Sequence, residues 1–329
     1  MSDFRTLKGL YIKHVSSDPA NLVAGDIWYN TTTQTLKTAP QLGTWAAGGN
    51  LNTARYTLAG TGTQTAALAV GGRDSPIMDH VEEYDGSSWT EVADYPGALS
   101  DMDACGPQTA ALVGCGQNPG SPPGPQVSFE YNGSSFANPA PYGRAAVYSR
   151  FLGTQTAALL TGGQDFPNPV HLADSEEYDG SSWTAGGSMG TVRGLHIAAG
   201  TQTAGLVAGG RGSPGNETQR AEVEEYDGSS WTEVNNLPAA TKEVCGGGIQ
   251  TAAIYAGGHN GTAIVATSFT YDGTNWTAGS SMANVAYLDA PAKMGNTSAY
   301  MQFGGSTGTT TNTTEEFTQV VTARSVDTT

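Results

Sequence analysis

Glu82-Glu83-Tyr84-Asp85-Gly86-Ser87-Ser88-Trp89-Thr90 returns unchanged at 176–184 and again at 224–232. Three identical nonamers define a repeat, and the fold must be one that a repeat can build. Weaker copies are Phe129-Glu130-Tyr131-Asn132-Gly133-Ser134-Ser135-Phe136 and Phe269-Thr270-Tyr271-Asp272-Gly273-Thr274-Asn275-Trp276, with a truncated Glu315-Glu316-Phe317 near the end. Each copy reads as strand, tight turn, strand: a Glu-Glu-Tyr run meets the hairpin signal Asp-Gly and resumes at Trp-Thr. The glycine supplies the positive φ of a primed turn, and Tyr and Trp give both strands large side chains to bury.

A second stretch, Gln64-Thr65-Ala66-Ala67-Leu68-Ala69-Val70-Gly71-Gly72, lies upstream and recurs at 108–116, 155–163, 202–210 and 250–258, with a degenerate copy at 296–305. Gly114-Cys115-Gly116 is the imperfect double glycine of the second copy. Before each run stands another short apolar segment, such as Arg55-Tyr56-Thr57-Leu58-Ala59 or Leu195-His196-Ile197-Ala198-Ala199. The unit is therefore strand a, a short turn, strand b ending in Gly-Gly, a variable loop, strand c with Tyr, an Asp-Gly turn, and strand d with Trp. Six such units spaced by forty-odd residues suit the four-stranded blades of a propeller.

Gly-Gly closing the second strand, followed by Tyr and then Trp, resembles the Kelch repeat of β-propellers over residues 43–318. The interval from Tyr84 to Trp89 is shorter than the usual Kelch interval, which makes the chain Kelch-like. The expected fold is all-β: a six-bladed Kelch-like β-propeller with an N-terminal hairpin extension. Propellers host many unrelated activities, so the fold alone assigns none.

Residues 1–42 stand outside the repeats as an attachment segment. Within them Gly25-Asp26-Ile27-Trp28-Tyr29-Asn30-Thr31-Thr32-Thr33-Gln34-Thr35-Leu36-Lys37 reads as a hairpin. It is similar to a segment near the ends of many tailed-bacteriophage fibre and virion proteins. Next, Leu42-Gly43-Thr44-Trp45-Ala46 looks like a strand d without its a, b and c, while Glu315-Glu316-Phe317-Thr318 looks like a strand c without its d. The two deficits match, so Trp45 is expected to complete the sixth blade beside Glu315 and Phe317 and to close the ring. The aromatic place of strand d is then held by Trp45, Trp89, Phe136, Trp183, Trp231 and Trp276. Residues 319–329 read as a polar tail, loose or bound to a partner.

The net charge of −16 from 14 basic and 30 acidic residues argues against a nucleic-acid surface, which needs a basic stripe. No apolar run is long enough for a transmembrane helix, and the first residues lack the apolar core of a signal peptide. Membrane insertion is not expected, and synthesis in the host cytoplasm is; location in the virion is what the resemblance to phage proteins implies. Cys105, Cys115 and Cys245 fall at positions that do not pair, so they read as small buried apolar residues. The pairs Glu82-Glu83, Glu176-Glu177 and Glu224-Glu225 read as the start of strand c with at least one glutamate of each pair solvated.

The loops between Gly-Gly and strand c vary most, and variation on a regular scaffold is where binding tends to sit. Candidate binding residues there are Arg73, Asp74, His80, Asp165, Phe166, His171, Arg211, Asn216, His259 and Asn260. His80, His171 and His259 would lie on one face but too far apart around a ring to share a metal; no metal, cofactor or catalytic residue is assigned. Arg55, Arg144 and Arg193 precede strand a and could converge on a central channel, as the arginine triad of sialidases does, or balance acids such as Asp101 and Asp103.

The resemblance to phage proteins implies a non-enzymatic virion structural protein: a tail fibre, appendage or head decoration. Its partners would be other virion proteins through residues 1–42 and a host-surface glycan or virion protein at the loops, with a homo-oligomer in the particle allowed. The alternatives are a carbohydrate-active enzyme of sialidase or oxidase type and an intracellular Kelch adaptor.

Overall fold

The computed structural model describes residues 12–22, 25–38, 41–118, 126–137, 141–143, 146–165, 170–212, 218–295, 297–321 and 323–326. Arg144, Phe166 and Asn216, named above, lie outside them. The chain divides into two compact units, Trp45–Thr318 and Met1–Thr44 with Gln319–Thr329.

Among the described residues there are strands and no helices. The larger unit is built of four-stranded antiparallel sheets in a propeller-like architecture. Ala59–Thr63, Ala66–Val70, Val81–Tyr84 and Trp89–Glu91 form the first, in chain order. Asp103–Cys105, Ala111–Gly114, Phe129–Tyr131 and Phe136–Ala137 form the second, and Arg150–Thr154, Ala157–Thr161, Ser175–Tyr178 and Trp183–Ala185 the third. The fourth and fifth run Ile197–Thr201, Ala204–Ala208, Val223–Tyr226, Trp231–Val234 and Cys245–Ile249, Ala252–Ala256, Ser268–Tyr271, Trp276–Ala278. The last is assembled from both ends of the chain: Ala290–Pro291, Ala299–Phe303, Thr314–Val321 and then Gln41–Ala47. First strands pack one on the next, from Ala59–Thr63 through the series to Ala290–Pro291, which packs on Ala59–Thr63 again.

The aromatic pair of strands c and d recurs. Tyr84 faces Trp89 with ring centroids 5.0 Å apart, Tyr178 faces Trp183 at 4.9 Å and Tyr226 faces Trp231 at 4.8 Å. In the last sheet Trp45 and Phe317, at opposite ends of the repeat region, meet at 5.2 Å. The expected two-residue primed turn is a four-residue loop instead, because Tyr84 and Trp89 are themselves the last pair. Asp85 decides this: its Oδ1 accepts the backbone N–H groups of Ser87 and Ser88, both at 2.8 Å, while Gly86 adopts φ 94°. An aspartate that ties down two amides makes a wider loop as stable as a tight one.

Strand a also begins later than its apolar pattern suggests, at Ala59 and Ile197. The residue two places earlier is left-handed in every repeat: Thr57, Asp101, Tyr148, Leu195, Glu243 and Leu288 have φ of 54°, 58°, 61°, 52°, 58° and 57°. That conformation costs a non-glycine residue, so packing in each sheet enforces it.

The first of each glutamate pair, Glu82, Glu176 or Glu224, is buried, while the second, Glu83, Glu177 or Glu225, stays partly exposed. The first glutamates bind the segment leading into strand a: Glu82 Oε2 accepts Asn52 N–H at 2.7 Å, Glu176 Oε2 accepts Gly143 N–H at 2.7 Å, and Glu224 Oε2 accepts Gly190 N–H at 2.6 Å. The second glutamate accepts a tyrosine hydroxyl from the following sheet: Tyr131 to Glu83 at 2.9 Å, Tyr226 to Glu177 at 2.6 Å, Tyr271 to Glu225 at 2.9 Å. Tyr84 donates likewise to Glu316 of the last sheet at 2.7 Å. The repeated glutamine reaches back too: the Gln108, Gln155, Gln202 and Gln250 amides each donate to two carbonyls of the preceding sheet at 2.7–3.1 Å. The bonds to the glutamate carboxylates are charge-assisted and stronger than the neutral glutamine bonds, and both sets fix sheet against sheet.

In the smaller unit Ile27–Asn30 and Thr35–Thr38 form the expected hairpin. Lys13–Val15 runs parallel to Ile27–Asn30, and Trp28, 2% exposed, donates its indole N–H to Asp18. The segment expected to be a loose tail supplies a strand: Arg324–Ser325 pairs with Lys37–Thr38, extending the hairpin sheet. Its backbone groups are satisfied there, which polarity of sequence could not reveal.

Candidate functional site

Three of the variable-loop residues sit against an aromatic ring. The Arg73 guanidinium lies over Tyr56, 4.9 Å from its centroid, Arg211 lies over Tyr148 at 5.8 Å, and His259 meets Tyr287 edge-on at 6.2 Å. The register puts the three residues at equivalent places, although only Arg73 bridges to the tyrosine it covers, Tyr148 and Tyr287 coming from neighbouring repeats. The residue after the double glycine bridges to the residue just before the left-handed one: Arg73 to Tyr56, Arg211 to Gly194, His259 to Lys242. The left-handed residue thereby turns its own side chain towards the same loop face, as Tyr148, Asp101 and Glu243 do. Gln117 donates to Asp101 Oδ2 at 2.7 Å and to the Tyr148 hydroxyl at 3.5 Å, and Arg211 pairs with Glu243. Burial, then the neighbouring Asp101, pushes the Tyr148 phenol up. Two are cations laid on aromatic faces and the third is an imidazole against a ring edge, with mixed neighbouring charge, an arrangement suited to polar ligands with apolar faces.

Of the other candidates only His171 lies beside them, its ring next to Gly194 and Tyr148. The Asp74 carboxylate accepts the Thr310 hydroxyl at 2.8 Å and so ties the first loop to the last. Asn260 closes its own loop by accepting the N–H groups of Thr262 and Ala263 at 3.0 and 2.9 Å. Asp165 lies in a two-residue pairing with Ala146, and His171 is buried while His80 is half-buried. Among the described residues no group of three or more His, Cys, Asp or Glu side chains is arranged to hold a metal ion.

The arginines expected at a channel are elsewhere. Arg55 and Arg193 are fully buried against strand c of their own repeats, in ion pairs with Glu82 at 2.5 Å and Glu224 at 2.6 Å. They balance those glutamates and not Asp101 or Asp103. The place between the first strands is lined instead by Asp103, Arg150, His196, Cys245, Asp289 and Lys293, drawn from five repeats. These groups bind one another. Lys293 pairs with Asp103 and donates to the Phe151 carbonyl at 3.0 Å, His196 Nε2 meets the Thr161 hydroxyl at 2.9 Å, and the Cys245 thiol donates to Asp289 Oδ1 at 2.9 Å. Burial lowers the Lys293 ammonium and raises the Cys245 thiol. Next to them a cavity of about 120 Å3 is lined largely by Gly, Ala, Thr and Leu of the first strands.

Lys293, Asp289 and the left-handed residues escaped the sequence reading. Lys293 sits in an unremarkable Pro-Ala-Lys-Met run, and the six left-handed positions carry five different residue types, so no motif marks either. All three cysteines are buried and none is in a disulfide, as their positions suggested. No protein-family description matches the chain, and no curated protein matches it.

Proposed function

We propose that Trp45–Thr318 is a six-bladed Kelch-like propeller whose ring is closed by the strand of Trp45, and that the protein is a non-enzymatic structural component of a tailed-bacteriophage virion. The closure rests on the Trp45–Phe317 pair, which reproduces the Tyr–Trp pair of the continuous sheets, and on the packing of the last first-strand against the first. The phage assignment rests on the similarity of residues 25–37 to virion segments.

The observation that carries display over catalysis is the fate of the repeated polar residues. The glutamates, tyrosines and glutamines of the repeat bind sheet to sheet, and Arg55 and Arg193, the core of any carboxylate clamp, are held by Glu82 and Glu224. Recognition is left to the loop face, where Arg73 and Arg211 lie over tyrosines and His259 meets one edge-on. Its ligand would be a host-surface glycan, whose apolar faces stack on aromatics and whose hydroxyls meet charged groups, with residues 1–42 docking on a neighbouring virion protein. Cryo-EM of particles purified from the source tests this. Density for the six sheets at tail or capsid with the loops outward is the expected result; particles that lack the protein would overturn it.

A further inference from the structure

The last sheet lacks a positive charge that two other sheets possess. The registers align them: Ala69 faces Glu82, Val207 faces Glu224, and Gln302 faces Glu315. Likewise Ala59 faces Val70, Ile197 faces Ala208, and Ala290 faces Phe303. Four residues before Ala59 and Ile197 stand Arg55 and Arg193, whose guanidinium groups neutralise Glu82 and Glu224. Four residues before Ala290 stands Ala286. Glu315 is nevertheless buried, 3% exposed.

Where the arginine would lie there is a small cavity, lined by Ala286, Asn284, Asp289, Gln302, Thr313 and Glu315 among others. Three oxygens of its lining are buried without a hydrogen-bond partner: Asp289 Oδ2, Gln302 Oε1 and Glu315 Oε2. Their residues are 8%, 3% and 3% exposed. The remaining atoms of the same groups are engaged. Glu315 Oε1 accepts Ala283 N–H, Asn284 N–H and the Asn284 amide at 2.8–3.1 Å, Asp289 Oδ1 accepts the Cys245 thiol, and Gln302 Nε2 donates to Met282 Sδ at 3.0 Å. Two of the three positions are apolar or differently occupied in the aligned sheets: Gln302 stands where Ala69 and Val207 stand, and Asp289 where Leu58 and His196 stand. The loss of an arginine thus coincides with the gain of an extra carboxylate and an extra amide oxygen.

We propose that this cavity is a binding site for a single hard divalent cation of the calcium class, taking the structural place of the missing arginine. Buried acceptors left unpaired are costly, and a buried charge without a partner more so. Two carboxylates match a double positive charge, and carboxylate with amide oxygens are the donors such an ion selects, completed by backbone oxygens. The cavity measures about 10 Å3, room for one ion or one water and no larger ligand. The cation would tie strand a, strand b and strand c of the sheet that joins the chain ends.

The test uses the full chain, stripped with a chelator and dialysed at pH 7.5. Calcium alone should bind at one ion per chain in equilibrium dialysis with elemental analysis, and saturating calcium should raise Tm by roughly 5 °C, reversed by chelator. Ala286→Arg should abolish uptake while folding and melting at or above the calcium-free parent, since it restores the arrangement of Arg55 and Glu82. Glu315→Gln should also abolish uptake, and serves if Ala286→Arg fails to fold. No bound calcium and an unchanged Tm at pH 7.5 would overturn the proposal. So would Tm rising only on acidification, which would mean that protons or a water satisfy the three oxygens. Calcium uptake that survives both variants would place the ion elsewhere and would equally overturn it.

Discussion

The first and last sheets of the larger unit perform the same packing with different covalent means. The first runs through its four strands in order, with the Asp85 loop joining Tyr84 to Trp89. The last brings Phe317 and Trp45 to a similar separation with no loop between them. Its fourth strand is delivered from the other end of the chain, so nothing local holds it. In the first sheet Arg55 neutralises Glu82, whereas in the last Ala286 leaves Glu315 without a cation. The comparison teaches that the repeat's aromatic pair and register suffice to specify a sheet, while loop and ion pair are supports that one sheet does without.

Removing residues 1–48 attacks the unsupported sheet directly. Losing the half-buried Trp45 side chain alone should cost about 2–3 kcal/mol, below the range for a fully buried tryptophan, and the last sheet would also present a bare edge. Tm should fall by more than about 10 °C, or the chain should aggregate. A companion deletion of residues 1–38 keeps the strand Gln41–Ala47 and should shift Tm far less. Equal effects of the two deletions, read by calorimetry, would show that Trp45 is not what holds the chain ends.

The second test breaks the supported sheets. Arg55→Met or Arg193→Met leaves Glu82 or Glu224 buried without its partner and should cost about 3–5 kcal/mol in urea unfolding. Adding Glu82→Gln to Arg55→Met should recover part of the loss, because the penalty comes from the stranded charge. A single substitution costing under about 1 kcal/mol would mean that these pairs are incidental, and the contrast with Glu315 would lose its meaning.

The third compares junctions. Tyr226 binds Glu177 between two continuous sheets, and Tyr84 binds Glu316 across the chain-end junction. Each Tyr→Phe change removes a half-buried bond to a charged acceptor, about 1–2 kcal/mol. Equal losses are expected if the junctions are equivalent. A much smaller loss for Tyr84→Phe would mark the chain-end junction as already loose.

How far the sequence carried the fold follows from what each residue does. Strands b, c and d were legible because period-two apolar runs, double glycine and the Tyr…Trp interval are local signals, and the chain-end pairing followed from counting what each end lacked. The start of strand a was not legible: Thr57, Leu195 and their equivalents are left-handed through packing against neighbouring strands, which overrides their own preferences. The same applies to the glutamate pairs. Sequence places Glu82 and Glu83 on opposite faces of a strand, but only the neighbouring sheets show that one face holds Arg55 and the other Tyr131. Among the loop candidates, Arg73, Arg211 and His259 share a feature that comes from the tyrosines beside them, which lie in other segments of the chain. The buried Lys293 needed its partner Asp103, 190 residues away.

The smallest effect also isolates the loop that the last sheet lacks. Asp85, Asp179 and Asp227 accept two backbone amides and the hydroxyl of the first serine, and these bonds hold their carboxyls down at about 2; the backbone amides of Thr274 and Asn275 depress Asp272 as well. A folded-state pKa below the ordinary value means that the contribution is fully present above about pH 4 and is lost as pH falls through the folded value. Acidification from pH 5 towards 2 should therefore reduce amide protection at Ser87, Ser88, Ser181, Ser182, Ser229 and Ser230. The second repeat supplies its own control. Asn132 makes the same bonds to Ser134 and Ser135 at 3.0 and 2.9 Å but has no proton to gain, so its loop should keep its protection factors across the range. Hydrogen exchange that falls equally at the Asn132 loop would mean that acid loosens the sheets themselves; loss confined to the aspartate loops would show that the loop is a separable support. In that case Trp89 should stay paired with Tyr84 as Trp45 does with Phe317, on packing alone.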